Sequence, residues 1–171
     1  MRIFSGKVPS ISQELIASLV DGGDIECTDR NEVQLDVEAV LKEHIRRDRQ
    51  VLDEAKNRME SRGMSYSMLG RMKSQVAKEL GAPPSDEVIP YLVGQILNML
   101  FHSNNVEEIY AEDLDLRKKI VSILRRHTEV EGELDVAVRN KIKNLEEGTA
   151  TFEIEYARMM EKMKRSKGLG D

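Results

Sequence analysis

Two of the three histidines in this chain stand four residues ahead of a carboxylate: His44 precedes Asp48, and His127 precedes Glu131. On an α-helix that spacing puts both side chains of a pair on one face. Two such pairs brought together would offer two imidazoles and two carboxylates, a donor set suited to Zn, Fe or Mn. Metal sites in helical bundles are built in this way from facing helices. The Glu-x-x-His spacing of carboxylate-bridged di-iron bundles is absent, because Leu41 and Leu124 occupy the positions three residues before each histidine. The same pairs also suit a polar layer that sets helix register, or half-exposed ion pairs. A metal site at His44, Asp48, His127 and Glu131 is therefore the alternative reading, and no cofactor is expected.

Other chemistry finds less support. Cys27 is the only cysteine, so an internal disulfide, a zinc ribbon and a CxxC redox centre are all excluded. Its acidic setting, Ile25-Glu26-Cys27-Thr28-Asp29, should raise a thiol pKa and so disfavour a nucleophile. No phosphate-binding glycine loop is present, and Gly22-Gly23 reads as a helix stop. The chain is accordingly expected not to be an enzyme. Met68, Met72, Met159, Met160 and Met163 gather in the last helix of each half, where thioethers fill a core or line an adaptable groove for a partner helix. Lys162, Lys164, Arg165 and Lys167 form a basic run near the C-terminus, and Arg46, Arg47 and Arg49 form another cluster. A formal net charge of −5 argues against nucleic-acid binding through the overall field, so these runs read first as solvated helix faces and a frayed tail. Contact of the C-terminal run with RNA or the ribosome is a further alternative.

The elements that must position these residues are helices. With 40% hydrophobic and 33% charged residues, and only four prolines, the composition favours helix over strand. Residues 29–62 read as one long amphipathic helix, with Val33, Val37, Val40, Leu41, Val51, Leu52, Ala55 and Met59 at three-and-four spacing. His44 and Asp48 interrupt that face near its midpoint. Such a helix spans about 50 Å and must pack along its length. Neither the opening MRIFSGKVPS nor the mostly apolar run 91–101, broken by Gly94, Gln95 and Asn98, suits secretion or a membrane span. A reducing cytoplasm is the expected compartment.

The chain also resembles itself. Val8-Pro9 aligns with Ile89-Pro90, Ile11 with Leu92, Leu15 with Ile96 and Leu19 with Leu100. After a short insertion Val33 aligns with Leu116, Val37 with Ile120, His44 with His127 and Asn57 with Asn140; after another, Arg71-Met72 aligns with Arg158-Met159 and Gly81 with Gly168. The predicted fold is all-α and internally duplicated: two three-helix units, each a short, a long and a medium helix, related by pseudo-twofold symmetry. Residues 1–83 and 84–171 are the two repeats, joined through Ala82-Pro83-Pro84-Ser85 and sharing one core. The first unit should place a short helix from Pro9-Ser10 to about residue 20, with Ser10 and Gln13 as a capping box, then the long helix capped by Asp29, then a helix capped by Ser65. The second should place helices over 89–101, 112–146 and 151–166.

Through its opening MRIFSGKVPSISQELI, the DIECTDRNEV turn and the long helix containing His44, the chain resembles a bacterial family catalogued as a domain of unknown function, number 507. The resemblance covers the whole chain and implies a helical, cytoplasmic bacterial protein. It implies no activity, cofactor or catalytic residue. The expected function is that of a non-enzymatic interaction or scaffold protein with a protein partner.

Overall fold

Regular structure in the computed structural model, which describes residues 2–169 apart from the side chains of residues 129–131, runs in the order α1 (Val8–Asp21), β1 (Ile25–Cys27), α2 (Arg30–Ser61), α3 (Leu69–Glu79), α4 (Val88–His102), β2 (Val106–Ile109), α5 (Asp113–Lys141) and α6 (Ala150–Ser166). The protein is all-α with one short ribbon. The order helix, strand, long helix, medium helix occurs in each half.

Helix boundaries follow local chemistry. A 3-10 turn at Ser5–Lys7 leads directly into α1, so the helix begins before Ser10 and Pro9 sits in its first turn, where a missing N–H costs nothing. The expected capping box at Ser10 and Gln13 is not formed, since the N-cap is Lys7. At α2 the expected cap is present: the Asp29 carboxylate accepts from the Asn31 and Glu32 N–H groups at 3.0 and 3.2 Å. Ser65 caps the 3-10 turn Tyr66–Met68 ahead of α3. α5 ends at Lys141, short of residue 146, and Thr149 caps α6 by accepting from the Phe152 N–H at 3.2 Å. Among the described residues four helices end in Schellman turns. In α6, for example, Leu169 N–H donates to Lys164 C=O at 2.8 Å while Gly168 takes a φ of +67°.

Packing divides the molecule into three regions. α1 and α4 each pack against both long helices, closing a four-helix ring around Ile11, Leu15, Leu41, Leu92, Ile96 and Leu124, with both halves contributing. Both long helices outrun this bundle. α3 folds back on the distal part of α2, burying Val51, Ala55, Met59, Met72 and Val76 in a core of their own. α6 folds back on the distal part of α5 around Leu134, Val138, Ile142, Phe152 and Met160, and this core is completed by Phe4 and Leu169 from near the two ends of the chain.

The ribbon was not expected. β1 and β2 pair antiparallel, Ile25 opposite Ile109 and Glu26 opposite Glu108, with a slip in register before Cys27 and Val106. Segments of three and four residues are too short to show strand alternation, and they become strands only because the two halves meet. Beside the ribbon, Gly22 admits Lys119, which reaches across to Asp24. A Cβ on Gly22 would fall 2.6 Å from Ser18 O and 2.7 Å from Lys119 Nζ.

Candidate functional site

His44 lies on α2 where its apolar face breaks between Leu41 and Val51, the point at which the bundle core gives way to the arm core. It is only 8% exposed. Burial pushes its pKa below the usual histidine value, and the charge of Asp48, itself exposed, pulls the other way without cancelling the effect. His44 is thus a neutral imidazole at pH 7, and among the described residues no hydrogen bond reaches its ring.

His127 has a different neighbour from the one its own helix suggests. Its Nε2 lies 2.6 Å from Glu14 Oε2 on α1, and Arg126 bonds the other oxygen of the same carboxylate. Burial raises the Glu14 pKa, but hydrogen bonds from His127 and Arg126 outweigh it and hold the carboxyl below its ordinary value. The side chain of Glu131, the fourth expected donor, lies outside the described residues. Among the described residues no group of three His, Cys, Asp or Glu side chains stands together as a metal-binding set. What the arrangement does is tie α1 of the first half to α5 of the second.

The remaining sequence candidates take structural positions. Cys27 is half-buried on β1, and burial raises its thiol pKa while Arg30 opposes the shift; desolvation, rather than the neighbouring acids, is the main cause. Met72 and Met160 are buried in the arm cores, with Met68, Met159 and Met163 packed against them, so the thioethers fill the interior. The basic run is helical rather than frayed. Lys162, Lys164 and Arg165 belong to α6; Lys164 is 8% exposed with its ammonium 4.7 Å from the Phe4 ring centre, and Arg165 bonds Glu161 at 2.6 Å. Lys162 and Lys167 are exposed. The burial of Lys164 could have been anticipated, since Phe152, Tyr156, Met160 and Lys164 fall at four-residue steps on one face.

A feature not anticipated lies on the α2–α3 arm. A groove of about 410 Å³ runs along α2 past Arg46, Arg49, Asp53, Glu54 and Arg58, with Leu80 from the end of α3 at its edge. A smaller one, about 140 Å³, continues past Leu80 to Val51 and Ala82. Carboxylates hold the guanidinium groups of Arg46 and Arg58 in place. Arg46 makes a two-pronged contact with Glu43 at 2.8 Å, and Arg58 bonds Glu54 and Glu79 at 2.7 Å each. The outlying arginines of the 46–49 cluster were visible in the sequence; the apolar element beside them was not, because it comes from a different helix.

Among the described residues no helix is long and apolar enough to cross a membrane. Comparison with curated protein sequences gave no match. Residues 1–169 match the family described as protein of unknown function (DUF507), and over nearly its whole length the chain belongs to that family.

Proposed function

We propose that the chain is a non-enzymatic helical interaction protein of the bacterial cytoplasm, acting through its surface on a protein partner. The observation that carries this reading is the division into a shared bundle and two arms with separate cores. Glu14, His127 and Lys164 are engaged in holding elements together, while Lys162, Lys167 and other charged side chains on the outer faces of the arms are left to solvent. RNA or ribosome contact through the C-terminal run has less support, since Lys164 packs beneath Phe4 and Arg165 is engaged by Glu161. A His/carboxylate metal site has less support as well, because the His127 imidazole faces Glu14.

The same reading includes an internal duplication of residues 1–83 and 84–171 about a pseudo-twofold axis. It is supported by the repeated element order and by a reciprocal pair of hydrogen bonds flanking the ribbon. Thr28 N–H donates to Asn105 C=O at 2.9 Å, and Ala111 N–H donates to Asp24 C=O at 3.2 Å. Under the alignment of the two halves, each bond is the other's image.

The test is affinity capture with the full-length protein in extract of its native cell, combined with elemental analysis of the purified chain. A protein retained through nuclease and chelator treatment is the expected result. Release of everything captured by nuclease, or metal bound at one equivalent per chain, would overturn the reading.

A further inference from the structure

The two arms close differently at the same point of their Schellman turns. In α6 the residue after the terminal glycine is Leu169, which is buried beside Phe4 and seals the core, and the Phe4 ring lies between the cations of Lys164 and Arg2. In α3 the residue after Gly81 is Ala82, which packs against the arm core but is too small to seal it, and among the described residues no aromatic side chain belongs to that core. The two grooves lie at this unsealed end, and Leu80 between them is 41% exposed.

Charge is distributed to match. Residues 46–82, which make up the α2–α3 arm, carry nine Lys and Arg against five Asp and Glu, whereas the other residues carry seventeen against twenty-six. A basic lobe on an acidic protein attracts acidic surfaces and steers their approach. The groove itself is mixed: Asp53 and Glu54 stand among the arginines, and Leu80 supplies apolar contact. A phosphate group would use the guanidinium groups but would gain nothing from the leucine. A peptide carrying carboxylates around an apolar anchor uses both.

We propose that the groove beside Leu80 is the docking site for an acidic amphipathic segment of a partner protein, whose bulky apolar or aromatic residue fills the position that Phe4 and Leu169 fill in the other arm. This inference rests on the proposed interaction function and adds to it the surface and the partner's chemistry. Arg46, fixed by Glu43 through Nε and Nη2, would meet the partner's acids with Nη1 without first having to be ordered, which lowers the entropic cost of docking.

The experiment titrates isotope-labelled full-length protein with three probes: a synthetic peptide of repeated Glu-Glu-Leu-Phe units, its Lys-Lys-Leu-Phe counterpart, and oligouridylate. The acidic peptide is expected to shift the amide resonances of Val51, Leu80 and Ala82 and to bind more weakly as salt rises. Leu80→Asp and Arg49→Glu should each weaken it about tenfold or more, while Arg158→Glu on α6 leaves it unchanged. Because both positions are exposed, each variant should fold, and either one alone decides the matter. Binding of oligouridylate at this groove, equal binding of the lysine peptide, or absence of shifts there overturns the proposal. So does concentration-dependent self-association that Leu80→Asp abolishes, which would assign the groove to a second copy. If wild type and Leu80→Asp capture the same protein from extract equally, the interaction function stands and the groove assignment fails. If neither captures a protein, the underlying reading fails with it.

Discussion

Both arms are antiparallel hairpins that end in a glycine turn, yet the residue following the turn is Leu169 in one and Ala82 in the other. The α5–α6 arm is fastened from within and roofed from outside. Phe152 and Tyr156 stack at 6.0 Å between ring centres, Arg139 lies over both rings at 5.8 and 5.7 Å, and Tyr156 Oη donates to Asp135 at 2.5 Å. The α2–α3 arm relies on Val, Ala and Met, with ion pairs such as Arg58 to Glu79 along its side. An aromatic core with a planar cation above it makes a closed unit. A core of small and flexible side chains holds two helices together and leaves its end open. The same apolar periodicity therefore produces the same hairpin, and the size of a few residues decides whether that hairpin completes itself.

The largest expected effect comes from removing the aromatic interior. Phe152→Ala should cost about 3 to 5 kcal/mol and open the α5–α6 arm to hydrogen exchange while the amides of α3 keep their protection. Equal loss of protection in both arms would show that the cores are not separate. A smaller penalty is expected for Met72→Ala in the other arm, about 2 kcal/mol by denaturant melts, since the neighbouring Met64 and Met68 can relax into the space. A cost above that of Phe152→Ala would reverse the comparison.

Ala82→Leu tests the difference in the opposite direction. The smaller groove beside it has room, about 140 Å³, so the added side chain should bury apolar area and stabilise by about 1 kcal/mol. A lower melting temperature would show that Ala82 is already close-packed.

The smallest effect concerns pH and the histidines at the roots of the two arms. The unfolded chain protonates His44 near pH 6.5, but burial lowers the folded value. Between those values the unfolded state binds more protons, so stability is lost as pH falls below about 6.5. The folded Glu14 pKa is also lowered, from 4.5, so its contribution is present above that value and lost as pH falls through the folded one. Urea melts from pH 8 to about pH 3 should show both declines, and His44→Leu should remove the upper one alone. An unchanged profile in that variant would mean that His44 protonates as easily folded as unfolded.

Helix content and the buried faces could be read from the sequence because three-and-four spacing is a local property: Val33, Val37, Leu41, Ala55 and Met59 are all buried where their periodicity places them. What could not be read depends on contacts across the chain. The Glu14–His127 bond joins residues on different helices, and spacing along α5 says nothing about which side chain of α1 will face it. The ribbon has the same origin, since Ile25 needs Ile109 opposite it to become a strand. The Ser10 cap was misplaced for a local reason, because the 3-10 turn at Ser5–Lys7 had already set the helix going. The groove beside Leu80 belongs with the long-range group, as α2 supplies its arginines and α3 its apolar edge.

The position of Phe4 makes one arm core depend on contacts far longer in sequence than the other's. The α2–α3 hairpin draws its core from residues near one another in the chain, so its loop closes at modest entropic cost. The α5–α6 core also needs Phe4, which must await residues more than a hundred positions later. Contacts of such sequence separation form slowly. As the chain grows from its N-terminus, the basic arm can therefore be in place while the aromatic arm still awaits α6.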